Sequence, residues 1–74
     1  MDTKKLAALA AAVRLGSFTR AAEELGYTQS GLTHMMNSLE KDVGFPVLVR
    51  SRSGVRLTPA GQRIFPLVQE LSLI

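Results

Sequence analysis

The chain has 74 residues, a formal net charge of +3 and no cysteine, and 46% of its residues are hydrophobic. A chain of this length forms one small domain with a single core, which leaves no room for a deep substrate cavity. The lack of cysteine excludes disulfides and thiolate metal sites and fits a reducing cytoplasm. We predict no secretory signal, because the alanine-rich run at residues 6–13 is only moderately hydrophobic, and no membrane span.

The charged residues are distributed unevenly along the chain. No acidic residue lies between positions 43 and 69, whereas this segment contains Arg50, Arg52, Arg56 and Arg63. A segment with charges of one sign favours a polyanionic partner such as nucleic acid, and a solvated basic surface is the alternative interpretation.

Two short helices are predicted first. Residues 3–15 favour a helix because they are rich in alanine and leucine, with apolar side chains at helical spacing, and Gly16 is the predicted stop. Ser17 or Thr19 can cap a second helix that runs to about residue 25. The predicted core positions of these helices are Leu6, Leu9, Ala10, Val13, Phe18, Ala21, Ala22 and Leu25.

A third helix is predicted from about residue 29 to residue 43, after a sharp turn at Gly26. Thr28 is its predicted N-cap and Gly44 its stop. Glu40 and Asp42 lie near its C-terminal end, where the helix dipole disfavours acids, and solvation is the only explanation the sequence offers. The predicted core positions are Leu32, Met36, Leu39 and Val43.

A small β-hairpin and a fourth helix complete the predicted fold. Two β-like runs at residues 47–50 and 55–57 flank a loop at residues 51–54, after Pro46 blocks further helix. Thr58 and Pro59 start the fourth helix, and a bend or weakening is expected at Pro66. Its predicted apolar side carries Ile64, Phe65, Val68 and Leu71.

The outer face of the third helix carries side chains that can read base edges in a DNA major groove. Gln29, Thr33 and Asn37 are spaced four residues apart, and Ser30 and His34 lie beside them. Glutamine and asparagine can pair with adenine through two hydrogen bonds, and serine and threonine suit several base edges. An ordinary polar helix surface is the alternative, but the surrounding order of helix, turn, helix and hairpin favours DNA.

The hairpin and the helix starts are candidates for contacts to the DNA backbone. Arg50 and Arg52 flank the hairpin turn, and guanidinium groups suit phosphates or a narrow minor groove. Ser51, Ser53 and the backbone N–H of Gly54 can add phosphate contacts. The helix starts at Ser17 and Thr28 can set positive dipole ends against phosphates. A solvated turn is the alternative interpretation.

Catalysis finds no support in this sequence. His34 is the only histidine, and it lacks the acidic or cysteine neighbours of a metal ligand or catalytic base. We expect no enzyme activity, no metal and no cofactor. The competing function is a protein-interaction module. Its docking surface would use the alanine-rich first helix together with Phe65, Val68, Leu71 and Leu73.

Four segments in the same order resemble the LysR-type transcriptional regulators. Residues 16–25 (GSFTRAAEEL) resemble the family's second helix, and residues 28–40 (TQSGLTHMMNSLE) resemble its recognition helix. Residues 44–50 (GFPVLVR) are similar to the start of its wing, and residues 57–61 (LTPAG) to the start of its linker helix. The family commonly has arginine where His34 stands and often a basic residue where Asn37 stands.

The resemblance implies a mostly α winged helix-turn-helix, with a three-helix core, a two-stranded β wing and the start of a C-terminal linker helix. The DNA-binding domain is expected at residues 1–58 and the start of the linker helix at residues 59–74. The implied partner is double-stranded operator DNA, with a homodimer through the fourth helix of the full-length protein; this fragment by itself is a monomer or a dimer. An effector is expected only in a C-terminal domain that is absent from these 74 residues, which are either an excised domain or a truncated gene product.

Overall fold

The computed structural model describes residues 2–72, without the side chains of residues 68, 71 and 72. The predictions made for Val68, Leu71 and Leu73 therefore lie outside the described residues. The elements are helices α1 (Thr3–Leu15), α2 (Phe18–Leu25) and α3 (Gln29–Val43), strands β1 (Leu48–Ser51) and β2 (Gly54–Leu57), and helix α4 (Pro59–Ser72). None of these helices combines the length and hydrophobicity that a membrane crossing requires.

Short polar side chains begin the helices and glycines end them. The side chains of Asp2, Ser17 and Thr28 accept hydrogen bonds from backbone N–H groups of the first turns of α1, α2 and α3. Ser17 rather than Thr19 is therefore the cap of α2. The glycine after each of these helices is left-handed, with φ of 65° at Gly16, a conformation that other residues adopt only at a cost. These signals explain why the predicted bounds of α1 and α3 are confirmed.

The core lies where α1 crosses the other helices. Most predicted core positions are buried or half-buried, but α1 is buried more broadly than its apolar spacing predicts. Ala8, Ala11 and Ala12 are buried, whereas Ala10 and Val13 are only half-buried. The difference arises because α1 packs against α2, α3 and α4 at once, and small alanine side chains allow this close approach.

The hairpin differs by one residue from the prediction at three of its four strand ends. Strands β1 and β2 pair antiparallel, with Arg50 opposite Val55 and Ser51 opposite Gly54, so the turn contains only residues 52 and 53. Val47 was predicted to be in the first strand but precedes it, fully buried. Its carbonyl accepts a hydrogen bond from the Thr58 N–H (2.9 Å), outside the strand pairing.

Helix α4 begins directly against the base of the hairpin. The Thr58 hydroxyl accepts a hydrogen bond from the Gly61 N–H (2.9 Å) and donates one to the Pro46 carbonyl (2.7 Å). Gly61 is buried, and a Cβ there would collide with the Val47 carbonyl oxygen. The helix continues past Pro66 to residue 72. The break that proline favours does not occur, and the bend stays a prediction.

The acidic residues at the end of α3 are partners of other elements. The Lys5 ammonium of α1 donates hydrogen bonds to the Ser38 hydroxyl (2.8 Å) and to the Asp42 carboxylate (3.1 Å). The interaction with Lys5 lowers the pKa of Asp42 below its usual value, against the smaller opposing effect of desolvation. Asp42 thus links α3 to α1. This ion pair, and not solvation alone, explains an acidic residue near the end of α3.

Stability in acid is expected to depend in part on Asp42. Because its folded-state pKa is lowered, the ion pair stabilises the fold above the pKa of an unfolded aspartate and loses this effect as pH falls through the folded-state pKa. We expect the native chain to have a higher melting temperature than Asp42→Asn at neutral pH, and we expect this difference to disappear in acid. Thermal unfolding of both chains at a series of pH values measures it. A difference that is independent of pH would contradict the assignment.

Candidate nucleic-acid interface

Helix α3 separates a buried side from an exposed side. Leu32, Met36 and Leu39 are no more than 2% exposed and pack into the core. The opposite side carries the predicted base-reading residues Gln29, Ser30, His34 and Asn37, all exposed, and Thr33, which is half-buried. The side chains that could read bases are therefore accessible to a ligand, with Thr33 the least so.

The first turn of α3 has its own hydrogen bonds. The Thr28 hydroxyl accepts one from the Gly31 N–H (3.0 Å) and lies 3.4 Å from the Ser30 hydroxyl. Gly31 packs directly against Thr28, since a Cβ at Gly31 would lie 2.9 Å from the Thr28 hydroxyl oxygen. Thr28 and Ser30 are thereby held in place while both remain exposed.

The start of α2, the start of α3 and the hairpin share one open cleft of about 160 Å³. Predicted residues from each of these parts line it, namely Ser17, Gln29, and Arg50, Ser51 and Gly54 of the hairpin. Thr19, which was not predicted as a site residue, also lines the cleft. The fold thus brings Ser17 and Arg50 together, although they are 33 positions apart in the sequence (50 − 17).

The tip of the hairpin projects into solvent. Arg52 and Ser53 form its turn and are exposed. The Ser53 hydroxyl lies 2.9 Å from the Ser51 hydroxyl, which in turn donates to the Gly54 carbonyl (3.3 Å). The two serines therefore shape the turn, and Arg52 extends from it.

A second open groove follows α3 toward its C-terminal end. His34 and Asn37 line it together with Ser38 and Lys41. Lys41, which was not predicted as a site residue, adds a positive charge one turn beyond Asn37. The signal in the sequence was the four-residue spacing of positions 37 and 41, which places both side chains on the same side of the helix.

Glu40 connects α3 to the hairpin. One carboxylate oxygen accepts hydrogen bonds from the backbone N–H groups of Val47 (2.6 Å) and Leu48 (3.0 Å). These groups lie where the chain enters β1, so a side chain of α3 holds the residues that lead into the hairpin. A glutamate near a helix end gives no sequence signal of this role.

The described residues offer little else for chemistry. Among residues 2–72 no group of three or more histidine, cysteine, aspartate or glutamate side chains could hold a metal ion. The prediction that α1 contributes a protein-docking surface is wrong in part, because Ala8, Ala11 and Ala12 are buried in the core.

The three helices, the hairpin docked beside them and the exposed side of α3 define a winged helix-turn-helix protein. Residues 3–62 match the family model described as "Bacterial regulatory helix-turn-helix protein, lysR family". The chain belongs to this family. The predicted absence of a reaction agrees with a regulatory family.

Named relatives and solved structures agree with this assignment. The chain is 39% identical over 71 residues to the HTH-type transcriptional regulator HdfR of Yersinia enterocolitica, covering 96% of this chain and 24% of the relative. It therefore spans about a quarter of the length of the curated relatives it matches.

Two solved structures superimpose closely. The crystal structure of the CbnR DBD–DNA complex matches with a TM-score of 0.89 and 31% identity, covering 96% of this chain and 82% of that one. The BenM DBD/benA site 1 DNA complex matches with a TM-score of 0.88 and 33% identity, covering 96% and 80%.

Proposed function

We propose that this chain binds double-stranded DNA sequence-specifically, as the reading domain of a LysR-type bacterial transcription regulator. Helix α3 lies in the major groove, and the wing, residues 50–54, contacts the backbone or the minor groove. The observation that carries this proposal is the division of α3 into a buried apolar side and an exposed side of short polar side chains, with Arg50 of the wing in the same cleft as Gln29. Relatives of the same fold are described in complexes with DNA.

The proposed contacts divide into base-reading and positioning contacts. A major groove admits an α-helix, and residues of its N-terminal half reach the base edges. The base-reading residues are Gln29, Ser30, Thr33, His34 and Asn37. The backbone contacts come from Ser17, Thr28, Arg50, Arg52 and Ser53. Because Thr33 is half-buried, we expect it to contact only a DNA group that projects far toward α3, such as a thymine methyl.

The larger protein is proposed to act as a homodimer through α4, with its two α3 helices in successive major grooves. Leu67 of α4 is 61% exposed, which supports an apolar contact along this helix. An effector would bind to a further domain, outside these residues. A bacterial regulator of this kind works in the cytoplasm, where the DNA is.

Duplex binding is expected to weaken steeply with salt. Each phosphate neutralised on a duplex contributes about −0.9 to the slope of log K against log salt, so contacts from Arg50 and Arg52 alone predict a slope of about −2. Fluorescence titration of the 74-residue chain with a duplex selected from a random pool, over a series of salt concentrations, measures this slope.

A random duplex of equal length is the control in this titration. It should bind more weakly than the selected duplex but with a salt response of the same sign. Equal affinity for the two duplexes would contradict sequence-specific binding, and a flat salt response would contradict the phosphate contacts.

A further inference from the structure

The wing arginine Arg50 stacks on an aromatic ring of the helix-turn-helix. The central carbon of its guanidinium lies 4.5 Å from the centroid of the Phe18 ring, within the range of a cation–π interaction. Arg50 is in β1, and Phe18 is the first residue of α2. The contact therefore joins the wing to the helix that precedes the reading helix.

Both partners of the stack are held by their surroundings. Phe18 is only 5% exposed and packs in the core. Arg50 pairs in the hairpin with Val55, whose N–H donates to the Gly16 carbonyl (3.0 Å), two residues before Phe18. A Cβ at Gly54 would lie 2.6 Å from the same carbonyl oxygen, so the hairpin backbone rests directly on the turn between α1 and α2.

The position over the ring uses none of the N–H donors of the guanidinium. A cation–π contact is made through the positive charge of the group, and its five N–H donors can still bind acceptors. Within residues 2–72, the Arg50 guanidinium donates no hydrogen bond and forms no ion pair. Its donors are thus held in the cleft that Ser17 and Gln29 also line, ready for an acceptor from outside the chain.

We propose that Phe18 is a positioning residue for DNA binding. Its ring holds the Arg50 guanidinium in the orientation in which it contacts a phosphate beside the base read by Gln29. This inference rests on the proposed function. An arginine that is ordered before binding loses less side-chain freedom on contact, so the ring strengthens binding without touching DNA.

The test is to weaken the ring's attraction for a cation while keeping its shape. Site-specific replacement of Phe18 by a trifluorinated phenylalanine does this, and the same replacement at Phe45 is the matched control. Phe45 packs against the same core, and within the described residues no cation lies over its ring. Duplex affinity is expected to fall about two- to fivefold for the Phe18 replacement and to stay unchanged for the control.

A double-mutant cycle separates positioning from general packing. In an Arg50→Ala background, fluorination of Phe18 should no longer change duplex affinity, because the group it positions is gone. The melting temperature of each chain measures effects on the fold separately. Phe18→Leu, which removes the ring but keeps an apolar side chain, should show the same dependence on Arg50.

The outcomes distinguish this inference from the proposed function. If Arg50→Ala weakens duplex binding but fluorination at Phe18 leaves it unchanged or strengthens it, the positioning role is overturned and DNA binding stands. The positioning role is also overturned if fluorination of Phe18 lowers duplex affinity equally in the native and Arg50→Ala backgrounds. If the native chain binds no duplex at any salt concentration, both proposals fail.

Discussion

Glu40→Ala is expected to lower the free energy of unfolding by about 2–4 kcal/mol, because it leaves two backbone N–H groups at the base of the wing without their acceptor. Urea unfolding measures this change. Amide hydrogen exchange should show faster exchange at Val47 and Leu48 in particular. Duplex affinity should also fall, since the wing is then less firmly placed beside α3.

Glu23→Ala is the matched control for this change. Glu23 is an exposed helical glutamate, and its replacement raises the net charge by the same amount. The loss of a negative charge alone favours binding to DNA, so Glu23→Ala should bind duplex at least as tightly as the native chain. Glu40→Gln keeps a neutral acceptor and should lose less stability than Glu40→Ala. Unchanged exchange at Val47 and Leu48 in Glu40→Ala would refute the proposed link.

Gln29→Ala is expected to reduce discrimination between the preferred duplex and a random one by about 1–3 kcal/mol, because it removes a side chain that can pair with a base through two hydrogen bonds. Arg52→Ala should instead weaken both duplexes by about the same factor and reduce the salt slope by about 1. Titration of each variant with both duplexes over a range of salt concentrations gives all of these quantities.

Gln62→Ala is the matched control for this pair. Gln62 is an exposed glutamine of α4 and is not among the proposed base-reading or backbone-contacting residues, so its removal should leave both duplex affinities unchanged. Gln29→Ala would lose its assigned role if it weakened the selected and random duplexes equally. A loss of discrimination in Arg52→Ala would likewise move that residue from the backbone to the bases.

The helices were predictable because local chemistry determines where they begin and end. Thr28 satisfies a free N–H at the start of α3, and Gly44 adopts the left-handed conformation that ends it, with φ of 86°. Both depend on neighbours within a few residues. The exposed side of α3 follows from the same periodicity, which is why its candidate residues could be named from the sequence.

Contacts between elements far apart in the chain could not be predicted. Phe18 has the spacing of a core residue, and nothing in the sequence indicates that a guanidinium lies over its ring. Glu40 and Asp42 look equally unfavourable at a helix end, yet Glu40 binds the segment that leads into β1 and Asp42 binds α1. Such roles depend on how elements pack, and hydrophobic spacing specifies only which side is buried.

The joint between the hairpin and α4 has a mechanical consequence. Thr58 is the only residue between the end of β2 and the start of α4, and its hydroxyl is bonded on both sides of the joint. A connector of one residue, locked in this way, has no slack to absorb rotation. We therefore expect any torque on α4 in a longer protein to turn the wing with it, so that the helix and the wing rotate as one rigid unit.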